Sequence, residues 1–338
     1  MVVLAEVDRD SLNVSKFLAR GDPLAVLAGQ LGPEFAEYRR KWELARTFKI
    51  KLPYPLHVDY ELLKACNLRC PMCLSGQSPQ AKESLDPEKV KSLIKEGARM
   101  GQCSMGFGGL WEPLLSPHIA ELVAVGREQG LMDAMFNTNG QLLTAGLSRD
   151  LIEAGLTRLM ISVDAASEST YRQMRPGGNF GLLEDNILQF LSVRQKLKKK
   201  LPVLRLSFCL TEYNFGELKT FLDTWSDKVD FFSLQEYGRF SPDLPALFPK
   251  GNLGSGPGGR CAQPQKRLLI RHNGRVLPCC DLSGLDLTVG NIKTQEIKEI
   301  WSGPEVETIR TSLAGLKAQW PESCLKCQDK YRAKDCNL

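Results

Sequence analysis

The 338-residue sequence predicts an α/β fold: a partial (β/α)6 barrel of TIM type followed by a small cysteine-rich C-terminal domain. Three observations carry this. Between residues 56 and 235, six short apolar runs alternate with amphipathic stretches, the pattern of a parallel β/α sheet or barrel. At residues 249–259 (PKGNLGSGPGG) the composition shifts to Gly and Pro, which marks a linker. Beyond that break lie six of the eleven cysteines.

Residues 1–50 read as a helical extension, rich in helix formers over 24–48 with a break at Gly32-Pro33. The barrel is assigned to 51–248. Its strands are expected near 56–62, 103–108, 132–137, 157–163, 203–209 and 229–235, with helices such as 87–100 and 119–129 between them. Six units fall two short of a closed eight-unit barrel. The linker is assigned to 249–260 and the C-terminal domain to 261–338.

Composition narrows the class. Apolar residues are 43% and charged residues 25%, which suits a folded globular chain rather than a disordered one. A net charge of +5 does not call for a nucleic-acid partner. The densest basic run, RQKLKKK at 194–200, falls where a helix should end. A solvated helix terminus explains it, since cations suit that end; a phosphate-binding patch is the alternative. The first residues, MVVLAEVDRD, lack the charged-then-apolar build of a signal peptide. No apolar run approaches the ~18 residues of a membrane span. The expectation is a cytoplasmic protein with no membrane partner. There, clustered cysteines point to metal rather than disulfides.

The first cluster is Cys66-Asn67-Leu68-Arg69-Cys70-Pro71-Met72-Cys73, a C-x3-C-x2-C spacing directly after the first predicted strand. Three thiolates on one loop can wrap one face of an iron–sulfur cube and leave one iron without a protein ligand. Zinc is the competing reading, but structural zinc closes four ligands and no fourth Cys or His lies nearby in the sequence.

CNLRCPMC after a strand that opens a β/α barrel resembles the radical SAM superfamily, over about residues 50–240. That resemblance implies a [4Fe–4S] cluster whose open iron chelates S-adenosylmethionine (SAM). Reductive cleavage to a 5′-deoxyadenosyl radical and hydrogen abstraction from a substrate follow, with a flavodoxin- or ferredoxin-type electron donor. It also implies SAM contacts. Gly108, Gly109 and Glu112, in GFGGLWEP, correspond to a GGE-like segment, with Leu-Trp inserted before Glu112. Asn139 lies in a turn similar to TNG. Ser162 and Asp164 match S-x-D after the fourth strand. Arg175 would face the SAM carboxylate, and Met72 would pack near adenine.

Cys261, Cys279, and Cys324 with Cys327 as C-x2-C resemble the SPASM and twitch domains that hold auxiliary [4Fe–4S] clusters. The pattern is truncated, because position 333 is Ala and only Cys336 follows. One auxiliary cluster on these four cysteines is therefore expected, making 261–338 an iron–sulfur domain. A closed four-cysteine site is also a zinc design. Cys280 and Cys336 read as spare thiols. Cys103 and Cys209 on strands read as small apolar residues, with Cys209 as a sharper candidate for a hydrogen-atom donor.

An auxiliary acceptor suits oxidation, and the resemblance to small twitch-type enzymes implies a polar, sugar-like or aminocyclitol small molecule as substrate. Candidates for the accompanying base are Gln235, Glu236, Tyr237 and Arg239 after the sixth strand, and Arg205 on the fifth. An epimerase using Cys209, a ribosomal-peptide-modifying enzyme, and a non-catalytic zinc or iron–sulfur protein are the alternatives.

Overall fold

The structure is a computed structural model and describes residues 5–6, 16–19, 21–238, 244–247, 261–279, 287–315 and 319–330. The chain starts with strands β1 (Ala5–Glu6) and β2 (Lys16–Ala19) and helices α1 (Pro23–Leu31) and α2 (Pro33–Arg46). The helices part at Gly32, whose φ of 82° lies in left-handed space; Pro33 then opens α2.

The barrel follows: β3 (His57–Tyr60), α3 (Leu74–Gln77), α4 (Pro87–Met100), β4 (Ser104–Gly106), α5 (Ile119–Glu128) and β5 (Asp133–Thr138). Then come α6 (Ala145–Glu153), β6 (Arg158–Ser162), α7 (Glu168–Met174), α8 (Phe180–Lys196), β7 (Val203–Leu210), α9 (Leu218–Trp225) and β8 (Phe231–Glu236). The C-terminal part adds β9 (Arg267–Ile270), β10 (Arg275–Leu277), β11 (Gly290–Asn291), α10 (Ile297–Ser302), α11 (Pro304–Ala314) and α12 (Glu322–Lys330).

Strands β3 to β8 lie side by side in chain order, each parallel to the next. The helices between them start where polar side chains cap free N–H groups. Asp86 accepts from Glu88 N, Thr144 from Leu147 N, and Asn179 from Leu182 N. The sheet is open, as expected for six units. Expected and observed strands agree to within two residues.

Two edges depart from the expectations. Residues 1–50 are helical over α1 and α2 but not over Lys16–Ala19, which forms β2 antiparallel to β8. This four-residue strand saturates an edge that would otherwise expose unpaired backbone groups. At the other edge β9 pairs in parallel with β3, so part of the C-terminal region continues the barrel's own sheet. The expected linker at 249–260 lies outside the described residues.

The two faces of the sheet differ. Met105 turns outward against Gly126 of α5, while its neighbour Ser104 turns inward and meets His57 Nδ1 at 2.8 Å. The inside is polar but paired. Asp133 binds Arg158, Ser207 meets Ser233 at 2.8 Å, and Arg205 donates to Asn137 Oδ1 at 3.1 Å. At the N-terminal ends of the strands α2 lays three buried aromatics across the opening. Phe35 faces the Arg158 guanidinium, Tyr38 OH meets Ser104 Oγ at 3.1 Å, and Trp42 meets His57 edge to face.

The basic run at 194–200 behaves as a helix end. Arg194 is spent on Pro202 O and Asp230, and the lysines beyond it are exposed. Among the described residues, no helix is long and apolar enough to cross a membrane.

Candidate active site

In a parallel sheet every strand delivers its C-terminal end to the same edge, so the loops after successive strands converge. Here they line one open cleft. The loop after β3 contributes Cys66, Cys70, Met72 and Cys73; that after β4, Gly108, Gly109, Trp111 and Glu112. Asn137 and Asn139 come from β5 and its turn, Ser162 and Asp164 from β6, Arg175 from the end of α7, Cys209 from β7, and Gln235 and Tyr237 from β8. Residues spread over more than 170 positions thus share one wall-to-wall space.

The cysteine loop is held from several sides. Cys66 O accepts from Gln80 Nε2 at 2.6 Å and from Arg69 Nη1 at 2.9 Å, and Arg69 N donates to Pro176 O at 2.9 Å. Gly76 in α3 lets the chain pass: a Cβ there would stand 2.4 Å from Cys70 O. Met72 is buried with Leu68, Met174, Tyr237 and Leu247, and Cys66, Cys73 and Cys209 pack on this small cluster. Burial pushes the Cys66 thiol up and the Cys70 thiol up to about 12. The positive charge of Arg175 acts against this at both positions.

Arg175 is the central charge. Its Nη2 pairs with Asp164 Oδ2 and its Nη1 points to Cys70 Sγ at 3.8 Å, while its Nε is buried with no hydrogen-bond acceptor. Burial opposes the guanidinium's charge, but Asp164, Cys70 and Tyr171 together outweigh that and keep it charged. Asp164 sits at φ 60°, a left-handed backbone unusual outside Gly and Asn. There its Oδ1 accepts from Cys209 N at 2.7 Å, and its carbonyl accepts from Asn214 Nδ2 at 2.8 Å.

Glu112, whose motif implies a SAM contact, lines the cleft and also braces it. Its carboxylate is occupied by Thr138 Oγ1 at 2.6 Å, Asn139 N at 2.9 Å and Leu114 N at 3.0 Å. It ties the loop after β4 to the turn after β5, and burial pushes its pKa up. Asn139 Nδ2 in turn donates to Asn67 Oδ1 at 2.7 Å, joining that turn to the cysteine loop.

The four expected catalytic residues separate. Cys209 lines the cleft, and burial pushes its thiol up, so it is protonated. Tyr237 also lines the cleft, but its hydroxyl donates to Pro245 O at 2.7 Å, so its ring rather than its oxygen serves the wall. Arg205 is not in the cleft wall. It lies beneath, because its place on β7 points it at Asn137 rather than at the rim. Glu236 ends β8, and its side chain lies outside the described residues, as do Arg239, Cys280 and Cys336.

Cys103 does not line the cleft; it packs on the main core, and its thiol lies 3.5 Å from Gly101 O. Three residues were missed in the sequence: Asn137, Trp111 and Glu61. Asn137 was accessible, because it shares the inward phase of β5 with Asp133 and Met135.

The C-terminal cysteines lie on different elements. Cys261 leads into the turn before β9, Cys279 follows β10, and Cys324 and Cys327 sit one turn apart on α12. Cys327 is buried, and Cys261 and Cys324 pack on the main core.

Residues 60–224 match the family model of the radical SAM superfamily, and residues 261–328 match the iron–sulfur cluster-binding SPASM domain. The chain belongs to the radical SAM superfamily. It is 30% identical over 198 residues to GTP 3′,8-cyclase of Alkaliphilus oremlandii, covering 56% of this chain and 60% of that one. It is 28% identical over 211 residues to mycofactocin maturase of Mycobacterium ulcerans, covering 61% and 54%. The matched parts therefore span little more than half the length of these relatives. Among solved structures, Streptococcus suis SuiB bound to S-adenosylmethionine shares the fold at TM-score 0.64 and 16% identity, over 82% of this chain and 73% of that one. Native anSMEcpe with bound AdoMet does so at 0.58 and 16%, over 82% and 87%.

Radical SAM enzymes bind SAM and a [4Fe–4S] cluster, and a SPASM domain carries auxiliary iron–sulfur clusters. The residues present fit these groups. Four thiols line the cleft, three of them on one loop, with no imidazole among them, a donor set for iron–sulfur rather than for hard cations. Among the described residues no three acidic, His or Cys side chains close on a single-ion site. A cube of four irons holds its thiolates further apart than one ion does. Gly108 presents bare backbone to the cleft, with no atom within 4 Å of where a Cβ would stand.

Proposed function

We propose that this radical SAM enzyme oxidises a polar, hydroxylated small molecule of sugar or aminocyclitol type. In this reading 51–248 is the catalytic barrel, 249–260 a linker and 261–338 the auxiliary-cluster domain. Cys66, Cys70 and Cys73 hold the SAM-binding cluster, and Cys261, Cys279, Cys324 and Cys327 hold an auxiliary one. A small flavodoxin- or ferredoxin-type protein supplies electrons.

The observation that carries the reading is the make-up of the single cleft. The thiols, bare glycine backbone and Arg175 line one part, and Asn137, Ser162 and Gln235 supply neutral hydrogen-bonding groups suited to hydroxyls. When bound, the clusters and SAM supply the 5′-deoxyadenosyl radical and an acceptor for one electron. This chain's residues do the rest. Gly108 and Gly109 let the methionyl group approach the backbone, and Met72 packs against adenine. Glu112 and Asn139 fix the loops that face SAM, and Trp111 and Tyr237 wall the substrate off from water. A hydroxyl-bearing carbon that has lost one hydrogen atom becomes a carbonyl by losing one electron and one proton. With Tyr237 OH and Arg205 engaged elsewhere, Glu236 is the candidate whose carboxylate is chemically suited to take that proton.

A second reading rests on Cys209, a protonated thiol in the cleft wall. Donating its hydrogen atom to the substrate carbon radical would make the enzyme an epimerase, with the thiyl left on Cys209 restored by one electron from the same donor protein and one proton. One experiment separates the two. Anaerobically reconstituted protein is given SAM, reductant and a panel of polyols, aminocyclitols and small peptides, and both 5′-deoxyadenosine and substrate products are measured. A carbonyl product from a polyol, retained in Cys209→Ala, supports oxidation. An inverted product lost in Cys209→Ala, with 5′-deoxyadenosine still formed, supports epimerisation. Turnover of peptides alone rejects both.

A further inference from the structure

Glu61 lies between the glycine-rich loop and the C-terminal iron–sulfur region, in contact with both. It follows β3 and is buried, 2% exposed. One carboxylate oxygen, Oε2, accepts from Leu110 N at 3.0 Å. The same oxygen stands 2.4 Å from the place a Cβ on Gly109 would take, and Gly109 has φ 140°, so the loop is pressed onto the carboxylate. The other oxygen, Oε1, meets His272 Nδ1 at 2.6 Å and Arg271 Nε at 2.9 Å. A carboxylate only accepts, so His272 carries its proton on Nδ1. Both partners sit at the start of the turn between β9 and β10, which Gly274 closes at φ 89°. Glu61 N also donates to Ile270 O at 2.8 Å, continuing the β3–β9 pairing.

Gly108 and Gly109 are assigned above to SAM, and the reading that follows rests on that assignment. We infer that Glu61, gripped by Arg271 and His272, is a positioning residue through which the C-terminal region sets the glycine loop in its SAM-binding form. The chemistry is specific. Leu110 N is directed by a carboxylate, and that carboxylate is oriented by two donors more than 200 residues away in sequence. A buried carboxylate stripped of such donors must turn elsewhere or be protonated. Either way Leu110 N loses its fixed acceptor, and Gly108 and Gly109 lose the backbone course that leaves them bare to the cleft. SAM binding and the state of the β9–β10 turn are therefore coupled, and the coupling is reciprocal.

The test uses the full chain and two readouts. Hydrogen exchange of the 106–112 backbone is followed in the purified protein without cofactors. The SAM dissociation constant is measured by equilibrium dialysis on the anaerobically reconstituted protein. Arg271→Gln and His272→Gln alter nothing in the cleft wall. Each is expected to speed exchange over 106–112 and weaken SAM at least fivefold, with iron content unchanged. Glu61→Gln, which keeps an acceptor for Leu110 N, should fall between wild type and Glu61→Ala. If the 271 and 272 variants match wild type in both readouts, the coupling is refuted. If wild type itself binds no SAM while exchange still responds to the variants, the assignment of the loop to SAM fails and the mechanical link stands.

Discussion

Arg175 Nη1 lies 3.8 Å from Cys70 Sγ, and both side chains are buried. A charged donor aimed at a cluster sulfur stabilises the reduced, more negative state, so this contact is a lever on reduction potential. Asp164 fixes the lever from the other side. Arg175→Lys keeps the charge but loses the planar fork that serves both partners. The expected result is a more negative midpoint for the SAM-binding cluster and about 10–100-fold slower 5′-deoxyadenosine formation. A redox titration followed by electron paramagnetic resonance checks the midpoint, and an unmoved value would sink the idea.

Alanine at Cys66, Cys70 or Cys73 is expected to remove about four irons per chain and abolish SAM cleavage, because in the proposed assignment these three thiolates are the whole protein contribution to that cluster. Alanine at Cys261, Cys279, Cys324 or Cys327 should also remove about four irons but leave 5′-deoxyadenosine formation in place and stop substrate oxidation. Cys103→Ala, outside the cleft wall, should change neither iron content nor cleavage. Iron and sulfide analysis with product quantification decides each case.

Asp59 shows how the barrel floor depends on pH. Burial disfavours its charge, but Arg267 and His57 outweigh that and hold its pKa below the usual carboxylate range. A carboxylate with a depressed folded pKa contributes stability above its unfolded pKa, near 3.9, and loses it as pH falls through the folded value. Asp59→Asn removes the carboxylate that faces Arg267. It should cost about 3–5 kcal/mol at pH 7, and the gap to wild type should narrow below about pH 4. Urea unfolding across pH 2–7 reads this directly; a gap that stays constant down to pH 2 rejects it.

Gly76→Ala places a methyl group against Cys70 O, which is backbone and cannot swing aside. Overpacking of this kind costs about 1–3 kcal/mol. Here the strain falls on the cysteine loop itself, so iron loading should drop before the melting temperature does. Iron content and thermal unfolding of the same preparation compare the two.

Most of the barrel could be read from the sequence because its signals are local. Each strand is an apolar run, and each cleft motif follows its strand directly, so Cys66–Cys73, Gly108, Asn139 and Ser162 could be placed at one edge before any contact was known. The same logic failed for four-residue edge strands. Lys16–Ala19 is a strand because β8 offers an edge, and nothing within KFLA announces that. Roles set across the fold were equally hidden. The hydrogen bonds of Glu112 to Asn139 and of Tyr237 to Pro245 could not be read from their motifs. Glu61 and His272 are 211 residues apart, and only the β3–β9 pairing makes them neighbours.

The aromatic cap laid by Phe35, Tyr38 and Trp42 across the lower end of the barrel has a kinetic consequence. With that end stoppered and the interior filled by paired side chains, the described residues leave one doorway, at the strand C-termini. On the proposed assignment SAM is held beside the cysteine loop, so it must arrive before a substrate seated nearer the mouth. Methionine and 5′-deoxyadenosine cannot depart until the product has gone. Turnover is therefore expected to follow a compulsory order: added 5′-deoxyadenosine should compete with SAM, whereas added product should give mixed inhibition against substrate.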